Sequence, residues 1–282
     1  MPRPHRVRRT ARAYVGPEAD GDESGQGRCA LTPLEALATV AAGFGAGTIN
    51  TIVGSGTLLT FPTLLAIGYS PLVANVSNTV GLVPGVVGGV WGYRNELKGQ
   101  RARLLRLGSA SVAGGLTGGI LLLVRPDAFR SIVPYLVIAA ALLMGIQPLL
   151  TRKLRERLEE HADPRESKFL LPPLTYATGI YGGYFGAAQG VVLLAVMGML
   201  VDDDLQRLNA TKNVLAGLVN GVAAALFIVF SSVAWEAAGL LALGSIVGGA
   251  LGAVLARRIP SWVLRIVVVV VGVTVGVILL LT

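Results

Sequence analysis

Charge is scarce in this sequence. Asp, Glu, Lys and Arg make up 14% of the 282 residues and hydrophobic residues 53%, whereas a soluble domain carries about 25% charged residues. Runs such as 267–281 also lack the alternation of apolar and polar residues that marks the strands of an outer-membrane barrel. The composition therefore predicts an all-α membrane protein.

Cysteine, histidine and buried acids are nearly absent as well. Cys29 is the only cysteine, which excludes an internal disulfide, and His5 and His161 lie outside the apolar runs. Among the acidic residues, only Glu35 and Glu236 stand at the edges of apolar runs. Intramembrane catalysis needs positioned acid, base or metal groups. The sequence therefore predicts no enzyme, no metal site and no cofactor.

Long apolar runs are present, and about 20 residues of helix cross a bilayer. Two shorter pieces, 57–67 and 190–201, have about half that length and predict broken or re-entrant half-helices. If these pieces cross, the two halves of the chain are inverted; if they return, the halves are parallel. About eight runs are long enough for transmembrane helices: 31–53, 72–93, 104–124, 131–150, 169–187, 208–230, 235–256 and 261–282.

The chain repeats itself at an offset of 134 residues. Asn75 then falls on Asn209 and Ser77 on Thr211, in the same order of Gly-rich break, half-length helix and Asn/Thr-bearing helix. The predicted organisation is a disordered basic tail (1–30), a first membrane repeat (31–150), a charged linker (151–168) and a second membrane repeat (169–282).

Basic residues indicate how the chain sits in the membrane, because Lys and Arg gather in cytoplasmic loops. With eight spans and an inside N-terminus, 17 of the 24 Lys and Arg residues lie inside and six outside, with Lys212 in a span. This count predicts that the tail, the linker and both termini are cytoplasmic. The net charge of +8 is therefore explained by orientation in the membrane, and the sequence predicts no nucleic acid as partner.

Glycines interrupt the first apolar run in the stretch "GFGAGTINTIVGSGTLLTFP" (43–62). A helix that restarts after Gly54-Ser55-Gly56 directs its partly positive N-terminus into the protein. The second repeat has the same feature between Gly186 and Gly190. Duplicated halves with broken helices are typical of secondary transporters, whose substrate lies where the repeats meet. Two facing N-termini predict a small anionic substrate.

The segment "GAGTINTIVGSGTLLTFPTLLAIGYSPLVANVSNTVG" resembles the first repeat of the TauE/SafE family of sulfite exporters. "GYFGAAQGVVLLAVMGMLVDDDLQRLNATKNVLAGLVN" is similar to the second repeat of that family. The resemblance implies export of sulfite, an organosulfonate or a related sulfur anion across the bacterial inner membrane, coupled to an ion such as the proton. Which anion, which coupling ion and which oligomeric state, a homodimer being one option, stay open.

Lys212 is the most informative single residue, because a Lys at the centre of a membrane helix costs about 2.5–3.5 kcal/mol. Its alternative role is snorkelling to the interface. Helix capping accounts for some of the neighbouring Asn, Ser and Thr residues, but their number exceeds what two caps require. The predicted substrate-binding residues are Gly54, Ser55, Gly56, Asn75, Ser77, Asn78, Thr79, Gln189, Gly190, Asn209, Thr211, Lys212 and Asn213.

Three other functions compete with sulfur-anion export. A transporter of a different small anion would use the same features. An intramembrane enzyme is disfavoured by the lack of acid, base and metal groups. An accessory membrane subunit would not need duplicated polar breaks.

Overall fold

The computed structural model describes residues 31–52, 54–160, 169–255 and 261–281. The regular elements of these residues are ten α-helices, which confirms the all-α class. Their bounds are α1 (Pro33–Ile52), α2 (Thr57–Ile67), α3 (Pro71–Gly92), α4 (Arg101–Val124), α5 (Pro126–Glu160), α6 (Leu171–Tyr184), α7 (Gln189–Leu200), α8 (Leu205–Phe230), α9 (Trp235–Leu255) and α10 (Ser261–Leu281).

Four described segments are long and apolar enough to cross a membrane by length and composition: α3, α4, α8 and residues 126–150 of α5. The half-length helices α2 and α7 form where the short apolar pieces predicted them. The run 169–187, expected to be a full span, is instead the 14-residue α6, about 21 Å long. It ends because the chain turns at Gly186, which has φ 79°.

Glycine ladders bring α1, α3 and α9 together as a first bundle. A side chain at Gly43 or Gly81 would meet Leu241, and one at Gly47 or Gly85 would meet Ser245. Moving toward the C-terminal end of α1 or α3 therefore also moves toward the C-terminal end of α9. The three helices are parallel. Glycines four residues apart lie on one face of a helix and let neighbouring backbones approach closely, as these contacts show.

The second bundle consists of α4, α6 and α8. A side chain at Gly114 would meet Gly179, and one at Gly118 would meet Tyr184 further along α6. Gly115 and Gly119 of α4 face α8 in the same direction. Each bundle therefore combines two helices of one repeat with one helix of the other: α9 joins α1 and α3, and α4 joins α6 and α8.

The two bundles run in opposite directions. Ser77 near the start of α3 accepts a hydrogen bond (2.8 Å) from the N–H of Ala234, which follows α8. Val86, later in α3, lies against Gly217, which is earlier in α8. Equivalent helices of the two repeats are therefore antiparallel, and the repeats are inverted.

The half-helix α2 folds back along α1, since a side chain at Gly56 would meet Ala46 and one at Gly45 would meet Leu59. The half-length pieces were expected to give inverted repeats if they cross and parallel repeats if they return. The structure agrees with the first alternative, because α2 runs from the end of α1 to the end where α1 began. Three helices, α3 to α5, then remain in the repeat, and an odd number reverses the direction.

This parity places the start of α1 and the end of α5 at opposite ends of the bundle. It does not agree with the expectation that the tail and the linker lie on one side of the membrane. Residues 1–30 and 161–168 themselves lie outside the described residues, while 151–160 continue α5 as helix. We call the end at which α3 ends and α4 begins the basic end, because Arg94, Lys98, Arg101, Arg103, Arg106 and Arg207 lie there.

Candidate functional site

The two Gly-rich turns meet at the interface of the bundles. Gly54 and Gly186 have positive φ angles of 86° and 79°, and each lies two residues after the end of a helix, α1 or α6. The N–H of Gly190 donates a hydrogen bond (3.3 Å) to the carbonyl of Gly54. A Cβ added at Gly54 would lie 2.8 Å from the Cα of Gly190. Backbone meets backbone here, and a side chain at either glycine would force the turns apart.

A cavity of about 30 Å³ lies beside these turns, between the bundles. It has room for about two water-sized groups, so a ligand held there must be small. Residues of repeat 1 and of repeat 2 line it in nearly equal numbers: Asn50, Thr51, Gly54, Thr57, Val86 and Gly89 on one side, and Gly186, Gln189, Gly190, Lys212, Asn213, Ala216 and Asn220 on the other.

Lys212 extends from α8 into this cavity. It is 1% exposed, and its Nζ lies 3.4 Å from where a Cβ on Gly54 would be. Nζ has no hydrogen-bond partner among the described residues. A snorkelling lysine would place its ammonium at the interface instead. The position of Lys212 therefore suits a fixed charge for a ligand in the cavity.

Three side-chain donors in the cavity wall are left without a partner in the described structure. They are the Nζ of Lys212, the Nε2 of Gln189 and the Nδ2 of Asn213. Most buried polar atoms in native proteins are hydrogen-bonded, so a cluster of unused donors indicates a ligand with acceptor atoms. No Asp or Glu is among the described residues that line the cavity, and the wall is therefore suited to an anion.

Hydrogen bonds within the protein already use several N–H groups at the starts of α2 and α7. The N–H of Gly56 donates to Oδ1 of Asn50 at 2.7 Å, and that of Leu58 donates to Ser55 O. At α7, Gly190 donates to Gly54 and Val191 to Ala188. The helix starts still supply partial positive charge through their dipoles. Side chains supply the free donors.

Several predicted site residues in α3 form internal hydrogen bonds instead of lining the cavity. Asn75 donates to the carbonyl of Tyr184 (3.1 Å), Thr79 donates to the carbonyl of Asn75 (2.9 Å), and Ser77 binds Ala234. Asn78 lies deeper, where its amide contacts the hydroxyls of Thr57 and Thr60. These bonds tie α3 to α2, to α6 and to the residue before α9. Asn78 acts on the cavity by positioning Thr57, whereas Val86 and Gly89, later in α3, line the cavity themselves.

In the second repeat, Thr211 donates to Oε1 of Gln100 (2.8 Å) and to the carbonyl of Arg207. Asn209 and Ser55 are buried with one unpartnered oxygen each, Oδ1 and Oγ, but neither lines the cavity. The structure thus brings five of the predicted residues together in the cavity wall: Gly54, Gln189, Gly190, Lys212 and Asn213.

Four polar lining residues were not among the predicted site residues: Asn50, Thr51, Thr57 and Asn220. Asn50, Thr51 and Thr57 flank the first Gly-rich turn within 43–62, so their closeness to that turn was a usable signal. Asn220 lies two helical turns beyond Lys212, and this spacing on one face of α8 could have identified it.

An ion-pair network lies at the basic end, at the starts of α4 and α8. Asp203, between α7 and α8, binds Arg103 at 2.6 Å and Arg207 at 2.9 Å. Burial alone would raise the pKa of Asp203, but hydrogen bonds from Arg103 and the Asp204 N–H, with the charges of both arginines, hold this pKa below its usual value. The network fastens the start of α4 to the start of α8, which carries Lys212.

The apolar helices, the inverted repeats and the polar cavity where they meet define a multi-pass membrane protein of the transporter class. The chain belongs to the sulfite exporter TauE/SafE family, whose family model matches residues 39–279. Five of the ten helices carry the cavity: α1, α2, α3, α7 and α8, together with the two Gly-rich turns.

Three relatives named as transporters are similar to the chain. Probable membrane transporter protein ORF9 of Sinorhizobium sp. is 26% identical over 240 residues, 85% of this chain and 90% of that protein. Probable membrane transporter protein YfcA of Escherichia coli K12 is 28% identical over 232 residues, 80% of this chain and 82% of that protein. A probable membrane transporter protein of Haemophilus influenzae is 28% identical over 231 residues, which are 81% of this chain and 88% of that protein.

Proposed function

We propose that this protein exports a small sulfur oxyanion, sulfite or a sulfonate, across the cytoplasmic membrane in an ion-coupled cycle. The family name supports the sulfur anion, while the names of the relatives state transport without a substrate. The observation that carries the proposal is the set of three unpartnered buried donors, Lys212, Gln189 and Asn213, in one small cavity whose described wall has no carboxylate.

The chemistry of the cavity supports an anion for a physical reason. An anion that leaves water loses its hydration, and it needs a counter-charge and several donors to offset that loss. The ammonium of Lys212 supplies the charge, and the amides of Gln189 and Asn213 supply donors. Neutral and cationic solutes would leave the ammonium uncompensated, so they fit this wall less well.

Uptake of sulfite by proteoliposomes that contain the purified protein tests the proposal. Flux should exceed that of protein-free liposomes, and it should change when a proton gradient is imposed if protons are the coupling ion. A sulfonate and a halide salt, supplied in turn, separate a sulfur-anion transporter from one of another small anion. Absence of flux for every anion would reject transport of this class.

A further inference from the structure

Asn50 lies in the wall of the cavity opposite Lys212. It stands near the end of α1, in the first bundle, and Lys212 belongs to α8, in the second bundle. Both residues line the same cavity of about 30 Å³. A ligand that fills so small a space lies between two walls, and it therefore contacts both bundles at once.

A hydrogen bond from the backbone fixes the amide of Asn50. Its Oδ1 accepts the N–H of Gly56, at the start of α2, at 2.7 Å. An amide has one acceptor oxygen and one donor nitrogen, so engaging the oxygen leaves the NH₂ group for other partners. The turn between α1 and α2 thereby makes Asn50 a donor toward the cavity.

We propose that Asn50 is a specificity-determining residue of the anion site. Its Nδ2, in the first bundle, donates a hydrogen bond to the anion, and the ammonium of Lys212, in the second bundle, neutralises the charge of the same anion. The proposal rests on the function proposed above and adds the residue that binds the anion from the first bundle. A cation on one wall and an oriented amide donor on the other suit an oxyanion with separate acceptor atoms better than a spherical halide. The bound anion then joins the two bundles.

The Asn50→Asp variant tests this arrangement with nearly unchanged shape. The carboxylate can still accept the N–H of Gly56, so the turn keeps its bond, but the donor is replaced by a negative charge that faces Lys212. The new carboxylate and the sulfite anion are both negative, and like charges at a binding site repel each other strongly. The Kd for sodium sulfite should therefore rise at least about 100-fold. Asn95→Asp, at an exposed position before α4, makes the same change outside the cavity and should leave the Kd unaltered.

The same variant can be tested without added anion, because its carboxylate should pair with Lys212. Adding Lys212→Met to Asn50→Asp should lower the thermal midpoint more than Lys212→Met does in the wild-type background, since it leaves a partly buried carboxylate unpaired. Equal decreases in the two backgrounds, or unchanged sulfite affinity in Asn50→Asp, would overturn the role of Asn50. Wild-type protein that binds no sulfite would reject the sulfur anion itself, and the thermal comparison would still decide whether Asn50 faces Lys212.

Discussion

Gly54 and Gly190 touch across the two halves of the chain: a Cβ on Gly190 would lie 2.7 Å from the Cα of Gly54. The Gly190→Ala variant must therefore push the two turns apart. Overpacking of this kind costs about 1–3 kcal/mol, and we expect a lower thermal midpoint in detergent and weaker sulfite binding. Gly221→Ala is the matched control, because nothing lies within 4 Å of a Cβ there. Equal stability of the two variants would show that the turns do not touch.

A disulfide between the bundles tests whether they move against each other. A Cβ on Gly217 would lie 4.0 Å from the Cβ of Val86, within the range of about 3.5–4.5 Å that disulfides need. In a Cys29→Ser background, Val86→Cys/Gly217→Cys should lose sulfite flux when oxidised and regain it when reduced, since the cross-link holds α3 to α8. The reduced protein is its own control. A fully cross-linked protein that transports at the reduced rate would contradict movement at this interface.

The orientation follows from the basic end. Lys and Arg accumulate in cytoplasmic loops, so the described basic residues place the loop 93–100 inside and the turn between α4 and α5 outside. With Cys29→Ser, single cysteines at Lys98 and Lys153 should resist an impermeant thiol reagent in intact cells, whereas one at Asp127 should react. All three positions are exposed in the structure. Labelling at 98 with protection at 127 would reverse the assignment.

The ion-pair network predicts a pH dependence of stability. The pKa of Asp203 lies below its usual 3.8 in the folded protein, so its contribution is fully present above about pH 4 and is lost as the pH falls through the folded pKa. Asp203→Asn should lower the free energy of unfolding by about 1 kcal/mol at neutral pH. The gap between variant and wild type should narrow below pH 4, as measured by denaturant unfolding in detergent. A gap that is constant with pH would contradict the assigned pairing.

Asn78 and Lys212 show how far the sequence reaches. They are 134 residues apart and hold equivalent places in the repeat, so the sequence could pair them and identify Lys212 as unusual. It could not show that Thr57 and Thr60 satisfy Asn78 while Lys212 is left without a partner. That difference depends on the side chains that the half-helix of the same repeat places beside each residue, and those contacts are known only from the fold.

The all-α class and the broken helices were predictable, because composition and glycine position encode them locally. The exchange of α4 and α9 between bundles was not, since glycine ladders on several helices offer similar faces and only the full assembly selects the partners. The direction of the repeats depends on where α2 ends, and only the packing of α2 along α1 shows that it ends where α1 began. The length of α6 was not predictable either, because its apolar sequence continues to the turn at Gly186 that ends the helix.

Sulfite flux through the Lys212→Met variant tests the central claim most directly. Met keeps much of the stem of Lys212 and removes the charge, so the protein should insert and fold at least as well as wild type, since burial of a lone charge is costly. At equal protein in proteoliposomes, we predict that sulfite flux falls close to that of protein-free liposomes, with Lys212→Arg retaining part of the wild-type rate because the charge is kept. Flux through Lys212→Met at the wild-type rate would contradict the account and place the anion elsewhere.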